Sequence, residues 1–247
     1  MGLDELIAQP EEAKLSVLFK GKPGGGKTSA ALSFPGPILY IQCDPNTETV
    51  RKHSDATLHR VVVPDWKSFN SHVRPTFRDR KWLSDNGIKT VVIDSWSFLS
   101  MLMVDQLSGS DGKMQMQDWG QLLHRQKDTL KELIWLTVPD GEHEAVNVVV
   151  TCHTKENTDD EGRIQSIGLS IQGQFKDAME AYFDYALICE NASKNKAVSG
   201  KVESSQEFII HAAPPPKQTT KGGSLPGQMV VPHGGSAYSV LNEHINQ

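Results

Sequence analysis

The sequence contains no apolar run long enough to cross a membrane. Such a run needs about 18 consecutive apolar residues, and none occurs among the 247 residues of the chain. Residues 1–14 are acidic and have no apolar core, so we predict no secretory signal there. These absences predict a protein without a membrane partner that resides in the cytoplasm, which would be the host cytoplasm if the protein is viral.

Cysteine is scarce as well. The three cysteines each lie in an apolar stretch, and their spacing is not that of a metal site. We therefore expect buried, reduced thiols, as in cytosolic proteins. The three residues are Cys43, Cys152 and Cys189.

Positive charge is not in excess. The net charge is −5 and the pI is near 6.0, which excludes a globally basic nucleic-acid-binding surface but allows local basic patches. Residues 51–89 contain nine lysines and arginines against four aspartates, whereas residues 140–161 are strongly acidic. The stretch 72–82 interleaves cations with aromatic residues. It suits a single-stranded nucleic acid by charge and stacking, or it is an amphipathic helix with a solvated basic face.

The sequence does contain an alternation of strand and helix patterns. Continuous apolar runs at 89–94 and 146–152 are typical of parallel strands that helices cover on both faces. We therefore predict an α/β fold with a mostly parallel sheet flanked by helices and a C-terminal antiparallel extension. The predicted strands are 15–20, 37–43, 58–63, 89–94, 146–152, 183–189 and 206–211, and the predicted helices are 27–34, 46–54, 66–83, 96–107, 118–137 and 174–182.

The predicted core spans residues 15–212. Residues 1–14 precede it as an N-terminal arm. Residues 213–247 follow it as a C-terminal loop and a short closing element. Within that element, 214–235 is rich in Pro and Gly and predicts a long loop, and 237–245 predicts a short helix.

Residues 21–28 match the phosphate-binding pattern G-x-x-x-x-G-K-[ST], between a strand pattern and a helix pattern. Glycines let backbone amides surround an anion, and the helix N-terminus adds the positive end of its dipole. Lys27 would reach the β- and γ-phosphates, and the Thr28 hydroxyl would ligate Mg²⁺. The residues predicted to bind the nucleotide, with ATP and Mg as ligands, are Gly21, Lys22, Pro23, Gly24, Gly25, Gly26, Lys27, Thr28 and Ser29.

A second motif, an acidic residue at the end of an apolar strand pattern, follows the phosphate-binding loop. Residues 90–95 read Thr-Val-Val-Ile-Asp-Ser, which is typical of a Walker B strand. An acid at the tip of a strand beside the phosphate loop holds the water shell of Mg²⁺. The predicted metal-binding residues are therefore Thr28 and Asp94.

Hydrolysis also needs a group that orients or deprotonates water. The strand pattern 37–43 ends just before Asp44, which could hold the attacking water, and Glu48 is the nearby rival. Asp44 could equally serve as the N-cap of the following helix. The strand pattern 146–152 ends just before His153, which we predict to sense the γ-phosphate.

These motifs, in the order GKPGGGKT, YIQCD, TVVIDS and VVVTCH, resemble the RecA-like ATPases. Among them, they are most similar to phage-encoded proteins of the Sak-four type, which anneal or recombine single strands. The resemblance covers about residues 15–190 and implies a RecA-like P-loop NTPase core. It also implies that Asp44 is the catalytic carboxylate, where the family usually has Glu, and that His153 takes the place of a Gln that couples nucleotide to DNA.

The same resemblance implies partners. It places DNA-facing loops at 108–117 and 154–172, and predicts single-stranded DNA as ligand and a single-stranded-DNA-binding protein as a further partner. It also implies a homo-oligomer with ATP near the subunit boundary, where a lysine of the neighbouring copy contacts the phosphates. Lys221 is the first candidate for that catalytic lysine and Lys217 the second. The acidic residues within 154–172 depart from this pattern, because they would repel phosphates.

Two other functions remain open from the residues. A small-molecule or nucleotide kinase would form a phosphorylated product, and a nucleotide-gated loader would bind ATP tightly with negligible turnover. A GTPase is disfavoured, because residues 195–198 read Asn-Lys-Ala-Val and lack the Asp that pairs with guanine.

Overall fold

The computed structural model describes residues 14–45, 48–52, 57–109, 112–198 and 201–246. Most of the predicted N-terminal arm, residues 1–13, lies outside these ranges, as do parts of the predicted helix 46–54. Within them, no helix is both long and apolar enough to span a membrane.

The described residues form one nine-stranded sheet in the order β3-β2-β4-β5-β1-β7-β8-β9, with β6 paired to β5. All pairings from β3 through to β7 are parallel, while β5–β6, β7–β8 and β8–β9 are antiparallel. This topology confirms the predicted fold, a mostly parallel sheet with antiparallel strands at its C-terminal side. The strands are β1 (Ser16–Gly21), β2 (Ile38–Gln42), β3 (Leu58–Val62), β4 (Thr90–Asp94), β5 (Asn147–Thr158), β6 (Ile164–Leu169), β7 (Tyr185–Val198), β8 (Lys201–His211) and β9 (Gln228–Val231).

Helices cover both faces of the sheet. The α-helices are α1 (Lys27–Leu32), α2 (Glu48–Lys52), α3 (Trp66–Ser68), α4 (Pro75–Asp79), α5 (Lys81–Asp85), α6 (Trp96–Leu107), α7 (Met116–Ile134) and α8 (Ala237–Ile245). A π-helical turn spans Phe69–Val73, and 3₁₀ turns span Trp135–Thr137, Gln174–Asp177 and Met179–Tyr182. The closing helix at 237–245 is therefore confirmed.

Alternate residues of the central strands enter two hydrophobic layers. Leu18, Val91 and Val148 pack with α6 and α7 on one face, whereas Val17 and Val92 pack with α1 and α8 on the other. Because side chains alternate along a strand, burial on both faces makes these strands continuously apolar. The three cysteines are buried and free, as expected from their apolar surroundings.

The single helix predicted over 66–83 is wrong, because the segment forms several short turns. Pro75 lacks the backbone N–H that would continue the helix, and α4 begins there. Arg80 then adopts a left-handed φ of 56° and ends α4. Its guanidinium donates to the carbonyls of Trp135 and Val138, at 2.6 and 2.7 Å, and so caps the end of the α7 segment.

Three other predictions need correction. Residues 174–182 form two 3₁₀ turns instead of an α-helix, and 214–235 contains strand β9 instead of being all loop. The stretch 154–172 is largely a β-hairpin, since β5 continues to Thr158 and pairs with β6. Its acidic tip is a turn in which Arg163 pairs with Asp159 at 2.9 Å and with Glu161 at 2.8 Å.

Glu132 of α7 forms ion pairs with two arginines of the basic stretch 72–82. It accepts hydrogen bonds from Arg74 Nε at 2.6 Å and from Arg78 Nε at 3.0 Å. Burial opposes ionisation of Glu132, but the two guanidinium groups outweigh it and lower the pKa of its carboxyl group. A carboxyl group whose pKa is lowered by folding stabilises the protein above its unfolded-state pKa, and this stabilisation is lost as the pH falls.

Glu132→Gln should lower the free energy of unfolding by about 1 kcal/mol at pH 7, since the charge-assisted bonds are lost. The deficit should shrink below about pH 4, where the wild-type carboxyl group is also protonated. Urea unfolding at both pH values measures this. Glu144→Gln, which removes an exposed pair with Lys89, is the matched control and should leave stability unchanged. An equal deficit for Glu132→Gln at both pH values would contradict the ion-pair explanation.

Candidate functional site

A cavity of about 540 Å³ lies where the carboxyl ends of β1, β2, β4 and β5 meet. This is the edge at which ligands bind in open α/β sheets. The cavity is lined by Pro23, Gly24, Gly26, Lys27, Thr28, Ser29, Asp44, Thr49, Asp94, Phe98, His153 and Asn191. The sequence-predicted phosphate, metal, water-orienting and sensing residues are thus brought together. Gly21, Lys22 and Gly25 line a second cavity of about 560 Å³ instead.

The phosphate loop is packed tightly against the strands β7 and β8. A Cβ on Gly25 would lie 2.8 Å from the carbonyl oxygen of Cys189, and one on Gly26 would lie 2.5 Å from the ring of Phe208. Gly26 also has a left-handed φ of 88°. Asn191 of β7 donates to the carbonyl of Gly24. The glycines are therefore required by the neighbouring strands as well as by the curvature of the loop.

Lys27 is buried at the start of α1, with 6% of its surface exposed. Its ammonium donates to the carbonyls of Gly21 and Lys22, both at 2.9 Å. Burial lowers the pKa of Lys27, while the negative groups around it, Asp94 and Asp44 among them, act in the opposite direction. The loop thus holds a cation inside its own curve, which fits an anionic polyphosphate.

The carboxylate of Asp94 accepts three side-chain hydrogen bonds in the cavity. Its Oδ2 accepts from Thr28 Oγ1 at 2.7 Å and from the Tyr40 hydroxyl at 2.6 Å, and its Oδ1 accepts from Thr151 Oγ1. Burial and the adjacent carboxylate raise the pKa of Tyr40, which keeps its phenol protonated as a donor.

Carboxylate and hydroxyl oxygens are the ligands that Mg²⁺ prefers, with water and phosphate oxygens completing its shell. The pairing of Thr28 with Asp94 therefore fits a Mg²⁺ site. Among the described residues, no three His, Cys, Asp or Glu side chains cluster as a metal site made of protein ligands alone.

Asp44 and His153 contact each other across the cavity. His153 Nε2 lies 3.4 Å from Asp44 Oδ2, and the Phe98 ring stands edge-on to the imidazole at 5.9 Å. His153 Nδ1 is buried without a hydrogen-bond partner among the described residues. An Nε2–H tautomer satisfies this arrangement best, because Nε2 then donates to the carboxylate. The rival residue Glu48 is exposed at the start of α2, and the described lining of the cavity does not include it.

Two lysines predicted to act on a neighbouring copy lie away from this cavity. Lys221 forms backbone hydrogen bonds with Ala186, and its ammonium donates to the carbonyls of Ala181 and Phe183. The ammonium of Lys217 donates to the carbonyl of Ile164 on the hairpin. Neither lysine reaches the phosphate loop of its own chain.

Sequence reasoning missed Tyr40 and Thr151, which bond Asp94, and Asn191 and Phe208, which fix the phosphate loop. Tyr40 and Thr151 lie on β2 and β5, the two strands adjacent to β4, yet their strand patterns gave no sign of a polar role. Asn191 and Phe208 come from an antiparallel pair more than 150 residues after the loop. Only knowledge of strand order could have identified them.

The family comparison agrees with this architecture. Residues 13–222 match the model of the AAA domain family (AAA_24), so the chain belongs to that family. Its fold is that of a RecA-like P-loop NTPase. No curated protein matches the chain.

Two solved structures are similar to this chain at low identity. One is the flagellar accessory protein FlaH from Methanocaldococcus jannaschii, at 10% identity and a TM-score of 0.41, with 89% of this chain and 85% of that chain covered. The other is a KaiC-like protein from Pyrococcus horikoshii, at 11% identity and a TM-score of 0.37, with 81% and 78% covered.

Gly26→Ala should weaken ATP binding roughly tenfold or more, because an alanine at this φ is strained by about 1–3 kcal/mol and its Cβ meets Phe208. Titration calorimetry with ATP and Mg²⁺ measures the affinity. Gly120→Ala is the control, since Gly120 lies in α7 with nothing within 4 Å of the added Cβ. Equal affinity for wild type and Gly26→Ala would show that the loop does not hold the phosphates in this conformation.

Proposed function

We propose that this member of the AAA domain family is an ATPase in which Asp44 orients the attacking water. The observation that carries the proposal is one cavity lined by Lys27, Thr28, Asp94, Asp44 and His153. Lys27 and Thr28 come from the phosphate loop and the start of α1, and the other three residues come from three neighbouring strands or their ends, β2, β4 and β5. A phosphate-binding loop alone would support only binding, whereas an added carboxylate near the γ-phosphate position supports hydrolysis.

Each residue has a separate task in this proposal. Lys27 would leave the carbonyls of Gly21 and Lys22 to contact the β- and γ-phosphates. Thr28 and Asp94 would hold Mg²⁺, which supplies neutralising charge on the phosphate oxygens when bound. Asp44 would accept a hydrogen bond from the water that attacks the γ-phosphorus.

His153 would transmit the state of this site to the β5–β6 hairpin. Its ring lies against Asp44, its backbone N–H donates to Ser97 Oγ at 3.0 Å, and its carbonyl accepts from Ser170 N at 2.7 Å. Since β5 runs without interruption through His153 to Thr158, a shift of His153 would move the hairpin.

We also propose that the protein binds single-stranded DNA beside this hairpin. Its role would then be in phage-type recombination, annealing or replication. A cavity of about 670 Å³ beside the hairpin is lined by Lys155, Lys176 and Lys217 together with several amide and hydroxyl side chains. Asp177 and Glu180 also line it, but Glu180 is paired with the buried Lys20 at 2.5 Å. Lysines and amides are suitable contacts for a phosphodiester backbone.

The basic stretch 72–82 supports this role less well. Its arginines Arg74 and Arg78 pair with Glu132, and Lys81 pairs with Asp85 at 3.0 Å. Each of these cations is already engaged in an ion pair within the chain, with Glu132 shared between the two arginines. A structural role for this stretch is therefore better supported than DNA binding, although the stretch forms short helices and not one amphipathic helix.

A head-to-tail homo-oligomer is part of the proposal. Lys221 would leave the carbonyls of Ala181 and Phe183 and contact phosphates bound to the next copy. Lys221 is exposed, which supports a change of partner from these carbonyls to phosphates of the next copy. ATP would then lie near each subunit boundary.

Lys27→Ala should abolish ATP binding, because the cation inside the phosphate loop is lost. Asp44→Asn should retain ATP but lower kcat by about 100-fold, since the amide orients water without accepting its proton. Phosphate release and calorimetry measure the two effects separately.

Lys221→Ala should bind ATP normally and lose turnover in the assembled state.

The same assay separates the alternatives. Tight binding without phosphate release from wild type would favour a nucleotide-gated loader. A phosphorylated small molecule in place of free phosphate would indicate a kinase. Unchanged turnover in Asp44→Asn would move the catalytic role to another carboxylate.

Lys155→Ala combined with Lys176→Ala should weaken binding of a fluorescent oligo(dT) strand about tenfold and remove any stimulation of turnover by it, since two phosphate contacts are lost. Fluorescence anisotropy measures the binding. Lys81→Ala is the control, because its charge is already paired with Asp85. Equal losses for Lys81→Ala, or none for the double variant, would contradict a DNA site beside the hairpin.

A further inference from the structure

The buried side-chain amide of Gln42 contacts the main chain of Asp44. Gln42 is the last residue of β2 and has only 2% of its surface exposed. Its Nε2 donates to the carbonyl of Asp44 at 2.6 Å, and its Oε1 accepts from Arg60 Nε at 2.7 Å. Both ends of the amide are therefore satisfied, as a buried amide requires, and its orientation is fixed.

Arg60 reaches this amide from the neighbouring strand. It lies on β3, an edge strand of the sheet, where its backbone is opposite Tyr40. The side chain is exposed and does not line the nucleotide cavity. A guanidinium has only donors, so it selects the amide orientation in which Gln42 presents its oxygen to Arg60 and its nitrogen to Asp44.

The main chain of Asp44 is thereby held from two sides. Its N–H donates to the carbonyl of Asp94 at 3.1 Å, and its carbonyl accepts from Gln42. Cys43 N also donates to the Asp94 carbonyl, at 2.7 Å. These bonds fix the position of the Asp44 Cα, from which its side chain extends, relative to Asp94, the proposed Mg²⁺ ligand.

This fixation matters because an aspartate side chain is short. A glutamate could correct a misplaced backbone by rotating an additional bond, whereas Asp44 has only one carbon between its Cα and its carboxylate. A displacement of about 1 Å in a catalytic group can lower the rate about 100-fold. The water-orienting carboxylate therefore depends on its own backbone more than a longer side chain would.

We propose that Gln42 and Arg60 are positioning residues for Asp44. Arg60 orients the Gln42 amide, and Gln42 holds the Asp44 main chain so that the carboxylate remains beside His153 and in the cavity. The inference rests on the proposed function for its effect on turnover. It adds two residues to the site, both behind the cavity lining, and one of them, Arg60, lies on an exposed edge of the sheet.

The test compares two variants that interrupt, at different points, the hydrogen-bonded chain from Arg60 through Gln42 to the Asp44 carbonyl, which we call the relay. Gln42→Met keeps the length of the side chain and removes the amide, and Arg60→Met removes the donor from an exposed position where folding is not at risk. Both should lower kcat for ATP, about tenfold or more for Gln42→Met and less for Arg60→Met. KM and the calorimetric affinity for ATP should stay within about twofold, because Lys27, Thr28 and Asp94 are untouched. Arg60→Lys, which retains a donor, should recover part of the loss.

A double-variant cycle distinguishes positioning from a general structural effect. In an Asp44→Asn background, Gln42→Met should lower kcat no further, because its effect acts through the Asp44 carboxylate. Lys67→Met, which removes another exposed cation, is the control and should change neither kcat nor affinity. Normal kcat in both relay variants, a parallel loss of ATP affinity, or an additive effect in the Asp44→Asn background would overturn the proposal.

Amide hydrogen exchange gives a readout that does not need turnover. In Gln42→Met and Arg60→Met, the amide of Asp44 should exchange faster than in wild type, while amides of the β1 strand should not change. If wild type binds ATP without hydrolysing it, the proposed ATPase function fails, and faster exchange at Asp44 still supports the positioning relay. Unchanged exchange at Asp44 would overturn the relay whether or not the protein hydrolyses ATP.

Discussion

The carboxylate and carbonyl of Asp94 hold the candidate site together. The carboxylate accepts hydrogen bonds from α1, β2 and β5 through Thr28, Tyr40 and Thr151. The carbonyl accepts the amides of Cys43 and Asp44. One residue at the end of β4 therefore fixes the phosphate loop, the proposed water-orienting carboxylate and the strand that leads to His153. Loss of this carboxylate would leave several buried donors without partners, which is costly in a dry interior.

The C-terminal antiparallel strands make a second contribution to the same site. Cys189 and Asn191 of β7 and Phe208 of β8 pack directly against the glycines of the phosphate loop. The loop is thus clamped between its own helix and strands from the far end of the chain. In physical terms, the antiparallel extension is part of the candidate site and not an appendage to it.

Much of the fold could be predicted from the sequence because its parallel strands are buried on both faces. The run at 89–94 becomes β4, the run at 146–152 becomes the first half of β5, and the closing helix at 237–245 is confirmed. The helix predicted over 66–83 was wrong, since Pro75 and the left-handed Arg80 interrupt it. The hairpin of β5 and β6 was also missed as a strand pair, because residues 153–158 of β5 are polar and β6 is mostly unburied, so neither forms a continuous apolar run.

The sequence by itself determined the phosphate loop, the acidic end of β4 and the α/β class, because each depends on local spacing and on strand burial. Whether Asp44 and His153 meet, and which residues hold them, was decided only by the tertiary structure. Strand order places β2 and β5 on the two sides of β4, so their ends face each other across Asp94. The relay from Arg60 through Gln42 has the same origin, since it joins neighbouring strands whose pairing no local pattern specifies.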